Sequence, residues 1–173
     1  MRIVRACHRL ALALLLMSGI AAASPTPAPR VSATTVDALP KPLPLPYDEA
    51  ADGLASVQRG RALARARHKR LLIDLGGNWC LDCRILAATM ALPELRTFLD
   101  SHFVIVKVDI GRFDKNGAVA AHYGIIRRLD GVPAILVVDP KHDTLINAGK
   151  YFALSDARSM TPQALADWLA QWT

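Results

Sequence analysis

Cys80 and Cys83, in the run Cys80-Leu81-Asp82-Cys83, are the residues of this chain best equipped for chemistry. On a helix, residues i and i+3 share a face, so two sulfurs so spaced can approach disulfide distance. At a helix start the first sulfur also meets unpaired backbone N–H groups and the positive end of the helix dipole. Both favour thiolate, the nucleophilic form. The chemistry implied is thiol–disulfide exchange: Cys80 attacks a disulfide, and Cys83 resolves the mixed disulfide that forms. Asp82 adds a negative charge beside Cys80, or is an exposed first-turn acid that favours the helix dipole; both readings are compatible. The same cysteine spacing also serves as half of a zinc site. Zinc would need two further ligands. The only other cysteine is Cys7, and His8, His68, His102, His122 and His142 are scattered without ligand spacing, so no metal is expected.

The elements around this motif alternate strand and helix. Leu71–Leu75 (LLIDL) predicts a short buried strand interrupted by one acid, and Gly76-Gly77-Asn78 the turn after it. A helix is expected from Cys80 to Leu99, kinked or broken near Pro93. Phe103–Val108 predicts the next strand, Asn116–Tyr123 a helix, and Ala134–Val138 a strand whose hairpin partner runs from Thr144 to Lys150. Thr161 and Pro162 open a final helix with Leu165, Trp168, Leu169 and Trp172 on its core face. Ahead of all these, residues 48–68 predict an amphipathic helix with Leu54, Val57 and Ala64 on one face, weakened by Gly53 and Gly60. The order implies an α/β fold: a mixed central sheet with helices on both faces and an extra N-terminal helix.

The 173 residues are 52% apolar, enough for one domain with extensions. Arg2, Arg5 and Arg9, the apolar run Leu10–Ile20 and the small residues Ala21–Ala23 have the order of a secretory signal, with cleavage expected before Ser24. The alternative is an uncleaved anchor, although the apolar run is short of the ~20 residues of a membrane span. Cleavage removes three arginines, taking the formal charge from +6 to +3. It also removes Cys7, leaving an exported protein with one local redox pair and no disulfide framework. No Lys/Arg run with interleaved aromatics points to nucleic acid. Seven prolines between Ser24 and Pro46 predict an extended or disordered linker, so the expected divisions are 1–23 signal, 24–46 linker and 47–173 domain.

Asp74–Cys83 (DLGGNWCLDC), His122-Tyr123-Gly124-Ile125 and Val132-Pro133, in that order, resemble the thioredoxin family. The resemblance covers about residues 60–172 and implies a thioredoxin fold. It also implies a buried acid at Asp74, a lysine partner for it at Lys107, and Trp79 against the first cysteine. A cis-proline at Pro133 would turn the Val132 backbone toward the site, where a substrate strand could pair with it. Departures from the family pattern are Leu81-Asp82 between the cysteines, Gly76 where an aromatic is common, and a longer connection Ile126–Gly131. Asp74, if buried, should hold a raised pKa, partly opposed by Lys107, and exchange a proton with Cys83; otherwise it is a structural ion pair.

The expected function is extracytoplasmic, in the periplasm: electron exchange between Cys80–Cys83 and protein thiols or disulfides, with no other cofactor. A reductase is favoured, because Asp74 and Asp82 both oppose negative charge on Cys80, and a less stabilised thiolate means a more reducing couple. Leu81 and Asp82 would tune that balance. An electron donor at the membrane and a monomeric state are expected. The alternatives are a disulfide-introducing oxidase and a non-catalytic binding module on the same fold.

Overall fold

The computed structural model describes residues 26–173, so the expected signal sequence and its cleavage point lie outside the described residues. The central strand is β1 (Arg70–Gly76), buried at every position after Arg70. A continuous apolar run suits a strand covered on both faces. β2 (Phe103–Asp109) runs parallel to it on one side, and β3 (Ala134–Asp139) antiparallel on the other. β4 (Thr144–Leu145) pairs with the outer edge of β3, giving the order β2-β1-β3-β4.

Period-two alternation divides these strands between two cores. Leu71, Ile73 and Leu75 join Val104, Val108, Leu136 and Val138 under α1 (Gly53–Ala66) and α4 (Gly117–His122). Leu72, Ile135 and Val137 face α2 (Leu81–Met90), α3 (Pro93–His102) and α5 (Pro162–Ala170). The helix expected from Cys80 to Leu99 is thus two helices, with Pro93 opening the second, where its missing N–H costs nothing. α5 starts as expected, with the Thr161 side chain accepting from the Ala164 N–H at 3.1 Å.

Three expectations change. α1 buries Gly53, Val57, Gly60 and Ala64, while Leu54 is 39% exposed. The glycines are on the contact face, because a Cβ on Gly60 would come within 2.3 Å of Val106 Cγ2. Close helix–sheet approach therefore outweighs glycine's low helix propensity. The hairpin partner expected over 144–150 is only two residues long. Beyond it the Asn147 side chain takes over the ladder, its Oδ1 accepting from the Val137 N–H at 2.9 Å and its Nδ2 donating to the Ile135 carbonyl at 2.7 Å.

The third change concerns residues 26–46, expected as a linker. They form a strap laid along the α2–α3–α5 core. Ala33 and Leu39 are buried in that core, with Ala28, Val31, Val36 and Leu43 packed against it. Apolar side chains between prolines find a surface here, and the strap's backbone finds partners. The Val31 N–H donates to Gln163 Oε1, Gln163 Nε2 donates to the Pro29 carbonyl, and Arg84 donates to the Leu43 and Pro44 carbonyls.

Candidate active site

Cys80 is the N-cap of α2, with extended backbone and its sulfur accepting the Cys83 N–H at 3.2 Å. The sulfur stands where Ser, Asp or Asn oxygens usually cap helices. It also lies 3.5 Å from the Val132 carbonyl oxygen, to which the thiol donates. The Val132–Pro133 peptide bond is cis, and both residues are buried. Hydrogen bonding from Cys83, through its side chain and its N–H, lowers the Cys80 thiol to about 7, against the opposing effects of burial and the Asp82 charge. Both cysteines are free thiols here.

Cys83, one turn further into α2, is fully buried. Its hydrogen bond to Cys80, its burial and the nearby Asp74 charge push its thiol far above the ordinary range. Asp74, also fully buried, reaches the same region from β1. Burial raises its carboxyl to about 6, although the Tyr47 hydrogen bond and the Lys107 charge pull the other way. One carboxylate oxygen, Oδ1, accepts the Tyr47 hydroxyl at 2.8 Å, while Oδ2 is buried without a hydrogen-bond partner among the described residues.

Lys107 is the register partner of Asp74 across β1–β2, but no ion pair joins them among the described residues. That corrects the expected Asp74–Lys107 pair. The lysine is half-buried and lines a cleft with Met90, Arg96 and Asp100. Tyr47 supplies the contact to the acid instead.

Asp82 also differs from expectation. It is 5% exposed and held by Arg158, whose Nε donates to Oδ1 at 2.9 Å and whose backbone N–H donates to the same oxygen at 2.9 Å. Burial alone would raise this carboxyl, but the Arg158 hydrogen bonds and charge outweigh it and hold Asp82 below its usual range. The negative charge facing Cys80 is therefore largely balanced. The guanidinium also feels the Cys80 thiolate. Asp82 still opposes negative charge on Cys80, as expected, and Arg158 offsets part of that effect.

Around the opening, Trp79 and Leu81 are 41% and 44% exposed. The indole N–H of Trp79 donates to the Gly111 carbonyl at 2.7 Å, and the Arg112 guanidinium lies 4.5 Å above its ring. The longer connection Ile126–Gly131 flanks the same side, with Arg128 stacked 4.0 Å from Phe113. Among the described residues, no three His, Cys, Asp or Glu side chains gather where they could hold a metal ion.

Sequence reasoning missed Tyr47, Asn78 and Arg158. Tyr47 is 4% exposed, and its N–H and carbonyl are clamped by the Asn78 side chain at 3.0 and 2.9 Å. Its one sequence signal is Gly76. A Cβ there would meet the Tyr47 hydroxyl oxygen at 2.3 Å and Cys83 Sγ at 2.8 Å, so the absence of the common aromatic marks a space filled from elsewhere. Arg158 carries no local signal, being 76 residues from Asp82.

Comparison with known proteins agrees with this geometry. A family model described as Thioredoxin-like matches residues 52–140. The chain is similar to a crystal structure titled as a disulphide isomerase from Xylella fastidiosa Temecula1. The two are 36% identical with a TM-score of 0.68, over 75% of this chain and 97% of that one. It is also 30% identical over 100 residues, 56% of its length, to the thiol:disulfide interchange protein DsbD of Cronobacter sakazakii (strain ATCC BAA-894). The chain covers only 16% of that protein.

Proposed function

The chain belongs to the thioredoxin-like family and is a thiol–disulfide oxidoreductase, and from that premise we propose that it reduces protein disulfides outside the cytoplasm. Cys80 is the attacking thiolate and Cys83 the resolving thiol. The carrying observation is the Cys80 sulfur at the N-cap of α2, its thiol lowered to about 7 and facing the Val132 carbonyl.

A substrate disulfide enters beside Val132 and Pro133, with Trp79 and Leu81 forming the lips. Substrate backbone pairs with Val132 in strand fashion, which aligns the scissile S–S bond with the Cys80 sulfur. The thiolate attacks; one substrate sulfur leaves with the electron pair and takes a proton, and the other is joined to Cys80. Cys83 then loses its proton, with Asp74 as acceptor, and attacks the Cys80 sulfur. The second substrate thiol is released, and the two electrons have passed from the cysteine pair to the substrate. Lys107 acts on Asp74 only through its charge, and Leu81 and Asp82 tune the pair. The cysteine pair is the only cofactor, and a dithiol donor at the membrane restores it.

The Cys80 thiol supports the reducing direction. Cys-X-X-Cys nucleophiles range from about 3.5 in strong oxidants to about 7 in reductants, because a stabilised thiolate stabilises the reduced protein. A value of about 7 belongs at the reducing end. Export rests on the basic, apolar and small-residue order of residues 1–23, with Ser24 as the mature start.

The test is a glutathione redox titration with an insulin-reduction assay on protein purified from its native host as a monomer. A potential below about −200 mV with rapid insulin reduction supports the reading. A potential above about −150 mV makes the protein an oxidase. No exchange at all would leave a binding module. Mass spectrometry of the same preparation should find Ser24 at its start; retention of Met1–Ala23 would indicate an anchor.

A further inference from the structure

Tyr47 comes from the end of the strap, ahead of α1, yet its hydroxyl reaches the floor of the redox site. We propose that this hydroxyl carries the proton between Cys83 and Asp74, so that Tyr47 is a working member of the site; this rests on Cys83 being the resolving thiol. The hydroxyl donates to Asp74 Oδ1 at 2.8 Å. It and Cys83 Sγ both border the point where a Gly76 Cβ would lie, at 2.3 and 2.8 Å. The oxygen is therefore a neighbour of the sulfur on one side and of the carboxylate on the other. Position 76 accepts no side chain without driving the two apart.

The surroundings hold that arrangement. Tyr47 is 4% exposed, and Asn78 grips its backbone from both directions. Cys83 and Asp74 are fully buried, so bulk water does not reach them. Resolution nevertheless requires Cys83 to lose a proton. Burial, together with Asp74 and Cys83, pushes the Tyr47 hydroxyl far above its ordinary range, which disfavours a free tyrosinate as carrier. A relay does not need one. The Cys83 S–H proton passes to the Tyr47 oxygen while the tyrosine's own proton passes to Asp74, leaving thiolate, neutral tyrosine and neutral acid. The thiolate forms the bond to Cys80 Sγ, the bond from Cys80 to substrate breaks, and the substrate sulfur leaves with the electron pair. When a donor dithiol later cleaves Cys80–Cys83, Asp74 returns the proton to Cys83 by the reverse hop.

Tyr47→Phe removes the hydroxyl and keeps the ring. The experiment forms the thionitrobenzoate mixed disulfide on Cys80, then follows its release by Cys83 across pH. Attack of Cys80 on the same disulfide reagent is measured separately. With the variant, attack stays within about twofold and resolution slows by about tenfold or more, on the scale of a lost general acid–base contact. The inflection belonging to Asp74 also moves upward, since the carboxylate has lost a stabilising hydrogen bond. Fluorotyrosine at position 47, which restores a hydroxyl on the same ring, returns the wild-type rate. Unchanged resolution and an unmoved inflection in Tyr47→Phe would overturn the relay, as would equal slowing of both steps or failure of fluorotyrosine to restore the rate. Cys83→Ser separates the two ideas. If that variant releases thionitrobenzoate as fast as wild type, the resolving role of Cys83 fails, whatever Tyr47 does.

Discussion

Cys80 and Cys83 are one helical turn apart, yet their surroundings differ in kind. At the mouth, Cys80 meets a cap N–H, the Val132 carbonyl and the balanced pair Asp82–Arg158, between lips of exposed Trp79 and Leu81. At the floor, Cys83 meets Tyr47, Asp74 and a glycine left bare to admit them. The mouth handles charge: its partners decide how readily a sulfur becomes an anion. The floor handles protons: Cys83 and Tyr47 hold theirs tightly, and the Asp74 carboxylate, ionised above about pH 6, can take one along a buried path. One turn of helix thus separates a nucleophile from a thiol that stays protonated until needed.

Exchanging the cysteines gives the largest effect. Cys80→Ser abolishes insulin reduction, while Cys83→Ser retains attack and accumulates substrate adducts that dithiothreitol releases. Equal adducts from both variants would erase the distinction between mouth and floor. In the wild type, iodoacetamide should modify Cys80 with a midpoint near pH 7 and leave Cys83 untouched; quenched-flow alkylation with mass spectrometry reads both.

Asp74→Asn is the next probe. Resolution should slow by about a hundredfold, with Cys80 attack nearly unchanged. Stability moves the other way. The carboxyl sits at about 6 when folded and about 3.9 when unfolded, so between those values the folded state binds more protons. Its contribution to stability is full below about pH 4 and is lost as pH rises through about 6. A shift of about two units corresponds to about 3 kcal/mol, and Asp74→Asn should be more stable at neutral pH by up to that amount. Urea melts at several pH values check it; a variant no more stable than wild type would mean that Asp74 is not strained by burial.

The smallest effects lie at the mouth. Arg158→Met leaves the Asp82 charge unbalanced and should raise the Cys80 thiol. Asp82→Asn leaves the guanidinium unbalanced and should lower that thiol, making the couple more oxidising. A full unit would be about 30 mV, and exposure of Arg158 keeps both shifts below that. Paired redox titrations at fixed ionic strength should show opposite signs. Shifts of one sign would show that the pair acts by packing rather than by charge.

Much of the redox site is legible in the sequence because its determinants are local. Cys80, Cys83 and Trp79 lie within five residues, and Asp74 stands near the end of the strand just upstream. The strand order is legible for a similar reason, as each apolar run announces its own burial. What escapes is long-range. Tyr47 meets Asp74 across 27 residues, and Arg158 meets Asp82 across 76. No periodicity encodes either contact. Gly60 shows the opposite failure: a residue that weakens an isolated helix is required where that helix must touch Val106. The docking of the proline-rich strap is not legible, because composition reports what a segment lacks, whereas docking depends on apolar residues interleaved with the prolines.

The strap also sets an order of assembly during synthesis. Pro29 and Val31 leave the ribosome early, but their partner Gln163 lies 134 and 132 residues later in the chain. Chain emergence at about 5–20 residues per second separates them by roughly 7 to 27 seconds. Until α5 is made, the strap has no complete dock. The two ends of the described chain therefore close on each other last, while Tyr47 already has its Asn78 and Asp74 partners nearby in sequence.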